Sequence, residues 1–144
     1  MAVVFKNLPL PMHANAMGAA LAMQAANRQG KAWQMHDKMF ENREALTRPD
    51  LERYAAGVGL DVEKFKADID DPSVKQEVEA DMKAATDAGV RGTPAFFVNG
   101  TQMRGLKPPD EFGELLDQEL AKADELMKQG VALADVYEKR SKVK

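Results

Sequence analysis

The stretch that decides the fold is residues 89–100, GVRGTPAFFVNG, in which a glycine-rich turn leads into a short apolar run. Pro94 has no backbone N–H, so it suits the first position of a strand. The Thr93–Pro94 bond is a candidate for the cis form, which costs only about 0.5–1 kcal/mol before proline. By composition alone, the plain role of starting a strand is favoured for Pro94 over the cis form.

A β-hairpin is predicted from this proline onward. Pro94–Val98 is apolar, and Asn99-Gly100 follows it. These two residues favour a type I′ turn, because both of its central positions have a positive φ. Thr101–Arg104 is then the returning strand.

Helical patterns dominate the rest of the chain. Ala14–Gln29 is rich in strong helix formers and apolar nearly all round, so we expect it to be buried on several sides. The other predicted helices are Lys31–Glu41, one capped by Thr47, one capped by Asp61, one capped by Ser73, one with a core-facing stripe of Phe112, Leu115, Leu116, Leu120, Ala123 and Met127, and Val131–Arg140.

The opening residues Ala2–Phe5 are β-branched and aromatic and are followed by Pro9 and Pro11. This pattern predicts a buried strand and an extended connector. The strand begins at the first residues with no partner before it, so we expect a preceding segment to be missing.

Composition sets the class of protein. The 144 residues hold 44% apolar and 30% charged residues, which is ordinary for one globular domain. The net charge of −3 gives no general attraction to nucleic acid or to an anionic membrane. Ala14–Ala26, the longest nearly apolar run, is too short to span a bilayer. There is no cysteine, which excludes a disulfide, a cysteine-ligated zinc site and a thiol nucleophile within this chain.

The ordered set of motifs resembles the DsbA-like thiol–disulfide oxidoreductases, a branch of the thioredoxin fold. The hairpin stretch resembles the cis-proline loop of that fold, and the helices before it resemble the family's helical insertion. The segments that carry the resemblance are Val3–Leu10 with His13, Asn15 and Ala16, then Gly30–Phe40, Asp61–Phe65, Gly92–Gly100 and Phe112–Leu116.

The resemblance implies an α/β fold in the order strand, helices, β-hairpin, helix. It implies one incomplete thioredoxin-like domain over 1–144, with the helical insertion at about 13–88 and a helical tail at 129–144. The family's Cys-x-x-Cys pair, with the strand before it and the helix after it, has no counterpart here. We therefore expect no catalytic residue in this chain and no redox activity from it alone, because disulfide exchange needs a thiolate.

The resemblance assigns a substrate-facing loop to Gly92, Thr93 and Pro94, whose backbone would pair with extended polypeptide. It also implies a periplasmic or other extracytoplasmic location. The rival functions are a non-enzymatic module that binds extended polypeptide along this loop and the sheet edge, and a helical adaptor in which the hairpin is incidental.

Because the strand that the family places between Ala2–Phe5 and the hairpin is absent, we expect homo-oligomers formed through the unpaired sheet edge. The alternative is a monomer in which Ala2–Phe5 pairs directly with the hairpin.

No cofactor or metal is expected. His13 and His36 are separated by 23 residues and lack the spacing of metal ligands. We expect His13 to serve in the connector or as a helix cap, and His36 to be a half-buried packing residue. Most of the nine methionines lie on the predicted core-facing stripes, so we assign them to packing.

Overall fold

A computed structural model describes residues 2–141, and these form seven α-helices and one two-stranded sheet. The chain divides into two compact units, Met1–Arg91 and Gly92–Lys144. The first unit contains α1 (Ala16–Asn27), α2 (Ala32–Glu41), α3 (Arg48–Gly57), α4 (Val62–Asp70) and α5 (Pro72–Asp87). The second contains β1 (Ala95–Val98), β2 (Thr101–Arg104), α6 (Pro109–Lys128) and α7 (Leu133–Ser141).

Helix α1 is the centre of the first unit and contacts each of α2, α3, α4 and α5. Its small side chains allow the close approach of several helices at once, as the nearly continuous apolar sequence predicts. Met35, Leu51 and Phe65, from three of those helices, are fully buried around it. This unit therefore has a hydrophobic core of its own.

Two predicted helix starts are confirmed and one is wrong. Thr47 and Asp50 form a capping box at α3, and the Asp61 carboxylate accepts a hydrogen bond from the Lys64 N–H at 2.9 Å at α4. Ser73 does not cap α5; Asp71 does, accepting from the Ser73 N–H at 2.8 Å. The reason is Pro72, which takes the first helical position and makes the residue before it the N-cap.

The predicted opening strand Ala2–Phe5 is also wrong. These residues form no regular element and pair with no strand, and Val4 is 76% exposed. A strand needs a neighbouring ladder to satisfy its backbone groups. The sheet of the described residues holds only the two hairpin strands, so the three-stranded alternative is wrong as well.

The hairpin of the second unit forms as predicted. Its strands are antiparallel, with Val98 opposite Thr101. The turn residues Asn99 and Gly100 have φ values of 47° and 90°, as a type I′ turn requires. Phe96 on β1 packs edge-on against Phe112 of α6, with ring centroids 5.3 Å apart.

The stripe predicted to face the core on α6 is only partly buried. Ala123 is buried, but Leu120 is 59% exposed. Glu119 is instead 1% exposed. Successive residues lie about 100° apart around a helix, so burying position 119 turns position 120 onto the flank.

Candidate polypeptide-binding site

The loop that enters β1 is accessible to a ligand. Thr93 and Pro94 are exposed and Gly92 is half-buried. The Thr93–Pro94 peptide bond is cis. The Pro94 carbonyl accepts a hydrogen bond from the Gly105 N–H at 3.0 Å, which fixes the end of the loop to the residue after β2.

The outer edge of β1 follows from the hairpin register. Pro94 and Gly105 form a hydrogen-bonded position, and Ala95 is opposite Arg104 in the next pair. Positions alternate along an antiparallel ladder, so the N–H and C=O groups of Ala95 and Phe97 point away from β2. Within residues 2–141 no further strand joins the sheet, so these groups form an unpaired edge directly after the loop.

The two faces of the hairpin differ. Phe96 is on the face that packs on α6, and alternate residues of a strand point to opposite faces. Phe97 therefore lies on the other face, where it is 46% exposed. The exposed loop leads directly into this strand, whose outer edge is unpaired among the described residues and whose second face holds the exposed Phe97 ring.

A buried carboxylate fixes the opposite side of the hairpin. Glu119 accepts hydrogen bonds from Thr101 Oγ1 at 3.0 Å, Lys122 Nζ at 2.8 Å and Arg140 Nη2 at 2.7 Å. Burial raises the pKa of the Glu119 carboxyl, but the hydrogen bonds from Lys122, Arg140 and Thr101 outweigh it, and the pKa lies below its ordinary value. The ionised side chain thus ties β2, α6 and α7 together behind the open edge.

A second buried carboxylate holds the opening segment of the first unit. Asp81 accepts hydrogen bonds from Lys6 Nζ at 2.7 Å, from the Asn7 backbone N–H at 3.0 Å and from Asn7 Nδ2 at 3.2 Å. Asn7 is itself buried. The sequence did not predict this contact. Asn7 and Asp81 are 74 positions apart, and no local pattern at either residue indicates that they meet.

An aromatic group on α2 was also not predicted as a surface feature. The His36 ring is half-buried, with centroids 5.4 Å from Phe5, 5.3 Å from Trp33 and 4.4 Å from Phe40. Its Nδ1 lies 2.9 Å from an Asp37 carboxylate oxygen. Trp33 and Phe40 remain exposed. Among the described residues no group of three or more histidine and carboxylate side chains is placed to hold a metal ion.

The family model of the DSBA-like thioredoxin domain matches residues 4–117. The chain belongs to this family. The match covers nearly all of the first unit and about half of the second, from the opening segment to the middle of α6. It confirms the fold class expected from the sequence, a thioredoxin-like fold of the DsbA type that is mostly helical with a small antiparallel sheet.

A solved relative supports the same assignment. The DsbA-like chain aligns with a thioredoxin-like oxidoreductase from Silicibacter pomeroyi DSS-3 with a TM-score of 0.70 and 26% identity, covering 78% of this chain and 65% of that one. The family match and this neighbour thus support oxidoreductase chemistry for the family as a whole, and not for this chain in particular.

Curated relatives carry a different name. The chain is 46% identical over 96 residues to the Na⁺/H⁺ antiporter NhaA of Herminiimonas arsenicoxydans, which is 67% of this chain and 16% of that protein. It is 39% identical over 103 residues to NhaA 3 of Salinispora tropica, again 16% of the relative. The chain thus spans about a sixth of the length of these relatives. No helix in the described part of the DsbA-like chain is long and apolar enough to cross a membrane.

Proposed function

We propose that this DsbA-like chain is the polypeptide-contacting part of a thiol–disulfide oxidoreductase, and that Gly92, Thr93 and Pro94 face the backbone of an extended substrate. The exposed loop at the start of β1, inside the segment matched by the family, is the observation that carries the proposal. Thr93 offers a backbone N–H and C=O, and an extended chain binds most simply through such groups.

The reactive thiol of such an enzyme lies outside these 144 residues, since none of them is cysteine. Exchange requires a thiolate that attacks one sulfur of a disulfide and releases the other as a thiolate. The chain alone therefore binds polypeptide without oxidising or reducing it. An extracytoplasmic location, typical of the family, forms part of the proposal, because disulfides persist there.

The transport named for the antiporter relatives is not carried over, because the match covers only about a sixth of those proteins. The alternative function is a polypeptide-binding module with no redox role in any context. The absence of cysteine is the observation that favours it. The coding sequence directly upstream separates the two: an in-frame Cys-x-x-Cys supports the oxidoreductase, and a stop codon before any such pair supports the module.

Binding is tested with a permanently unfolded polypeptide, such as reduced and carboxamidomethylated lactalbumin, by titration calorimetry. Thr93→Arg places a bulky charged side chain on the loop and is expected to weaken binding about tenfold or more. Thr86→Arg on α5 is the matched control, an exposed threonine given the same change. Equal binding by both variants and the unaltered chain contradicts the proposal. Insulin reduction by the chain above the background rate contradicts its redox inactivity.

A further inference from the structure

The end of β2 lies directly beside the loop that the proposed function uses. The Gly105 N–H donates to the Pro94 carbonyl at 3.0 Å, and Arg104 is opposite Ala95 in the next pair of the ladder. Directly opposite residues of an antiparallel pair have Cβ atoms about 4.5–5.5 Å apart. Arg104 is the charged residue of the two strands, and the register thus places it at the loop end of the hairpin.

The Arg104 side chain is on the open face of the hairpin. Opposite residues of a ladder point to the same face, and alternate residues of one strand point to opposite faces. Since Phe96 packs on Phe112 of α6, both Ala95 and Arg104 point away from α6. The hydrogen bond from Arg104 Nε to Gln102 Oε1 at 3.1 Å agrees with this direction, because the two residues share a face. Arg104 is exposed there and accessible to a ligand.

The positive charge of Arg104 is not balanced by a carboxylate. Among residues 2–141 no aspartate or glutamate forms an ion pair with it, and neither Nη nitrogen has a hydrogen-bond partner. The next cation along the chain differs, since Lys107 Nζ lies 3.2 Å from a Glu111 carboxylate oxygen. A guanidinium can donate two parallel hydrogen bonds to one carboxylate. The free Nη groups are therefore suited to an acidic side chain of a ligand.

We infer that Arg104 gives the substrate-facing loop a preference for extended polypeptide that carries aspartate or glutamate. The inference rests on the proposed function, in which Gly92, Thr93 and Pro94 face the substrate backbone. A polypeptide held on that loop lies beside the end of β2, where its carboxylates can meet the guanidinium and its basic side chains are repelled.

The charge of the whole chain makes this preference distinctive. The net charge is −3, and its long-range field favours basic polypeptide over acidic polypeptide. At physiological salt that field is screened beyond about 8 Å, whereas a direct contact with Arg104 is within this distance. A preference for acidic polypeptide therefore has to come from a cation at the site.

Three cysteine-free peptides test the preference, in which threonine alternates with glutamate, with glutamine or with lysine. The alternation brings the variable side chain close to Arg104 in any register. Titration at pH 7 and physiological salt is followed by amide NMR at Gly92 and Thr93. The glutamate peptide is expected to bind about three- to fivefold more tightly than the glutamine peptide, the range of an exposed ion pair, and the lysine peptide most weakly.

Variants of the chain assign the effect to Arg104. Arg104→Glu is expected to reverse the order of the three peptides, and Arg104→Lys is expected to keep it. Lys128→Glu is the matched control, because it makes the same change in net charge at an exposed residue that ends α6. It is expected to leave the order unchanged.

Two kinds of failure can be told apart. If Gly92 and Thr93 shift but Arg104→Glu binds the peptides in the same order as the unaltered chain, the inference is overturned and the proposed function stands. Reversal of the order by Lys128→Glu also overturns the inference, since net charge would then be the cause. No shift at Gly92 and Thr93 with any peptide contradicts the proposed function, and the inference with it.

Discussion

Two carboxylates, Asp81 and Glu119, show how single residues hold this molecule together. Each is buried, and each accepts hydrogen bonds from several donors that are distant in sequence. A buried carboxylate is stabilising only when its oxygens are satisfied, because an uncompensated buried charge is costly. Both residues are therefore expected to be sensitive to substitution although neither touches the proposed ligand.

Asp81→Ala is expected to destabilise the first unit by about 2–3 kcal/mol, because it leaves the buried N–H groups of Asn7 without an acceptor. Glu79→Ala is the control on the same helix: Glu79 is exposed and makes an i,i+4 ion pair with Lys75. It is expected to cost less than about 0.5 kcal/mol. Urea unfolding followed by Trp33 fluorescence measures both. Equal costs would contradict the role given to Asp81.

Glu119 makes the second unit sensitive to acid. Its pKa in the folded chain is below the ordinary value of 4.5, so its contribution to stability is complete above that value and is lost as the pH falls through the folded pKa. Protection of α6 and α7 amides from hydrogen exchange is expected to fall below about pH 4.5 in the unaltered chain. Glu119→Gln is expected to reduce that dependence. An unchanged pH profile in the variant would show that other groups cause it.

At the scale of elements, local chemistry made most of the chain predictable. The Asn99-Gly100 turn, the capping box at Thr47 and the cap at Asp61 each depend on a few neighbouring residues, and each is found as predicted. The errors come from tertiary partners. Ala2–Phe5 has the composition of a strand but no ladder beside it, and the periodic stripe of α6 did not reveal that Glu119, and not Leu120, is turned inward.

The hairpin turn gives the sharpest test at this scale. Gly100→Ala is expected to destabilise the second unit by about 1 kcal/mol, because Gly100 has a φ of 90°. Gly113→Ala inside α6 is expected to stabilise it by about 0.5–1 kcal/mol, since apart from its chain neighbours and the adjacent helix backbone nothing lies within 4 Å of the added Cβ. Urea midpoints of the two variants should move in opposite directions. Movement in the same direction would contradict the turn geometry.

For the whole molecule, membership of the family is shown, whereas the role of the candidate site is a prediction. The fold class was predictable because its motifs occur in a fixed order along the chain, and the family match confirms it. The substrate-facing role of Gly92, Thr93 and Pro94 stays a prediction. Self-association through the sheet edge also stays a prediction.

The most direct test of the central claim is an amide NMR titration of the unaltered chain with the reduced and carboxamidomethylated polypeptide. The account predicts saturable shifts at the Gly92 and Thr93 amides, with the buried α1 amides unchanged. Binding without any shift at Gly92 and Thr93, or no binding at millimolar polypeptide, would contradict a substrate-facing loop at the start of β1.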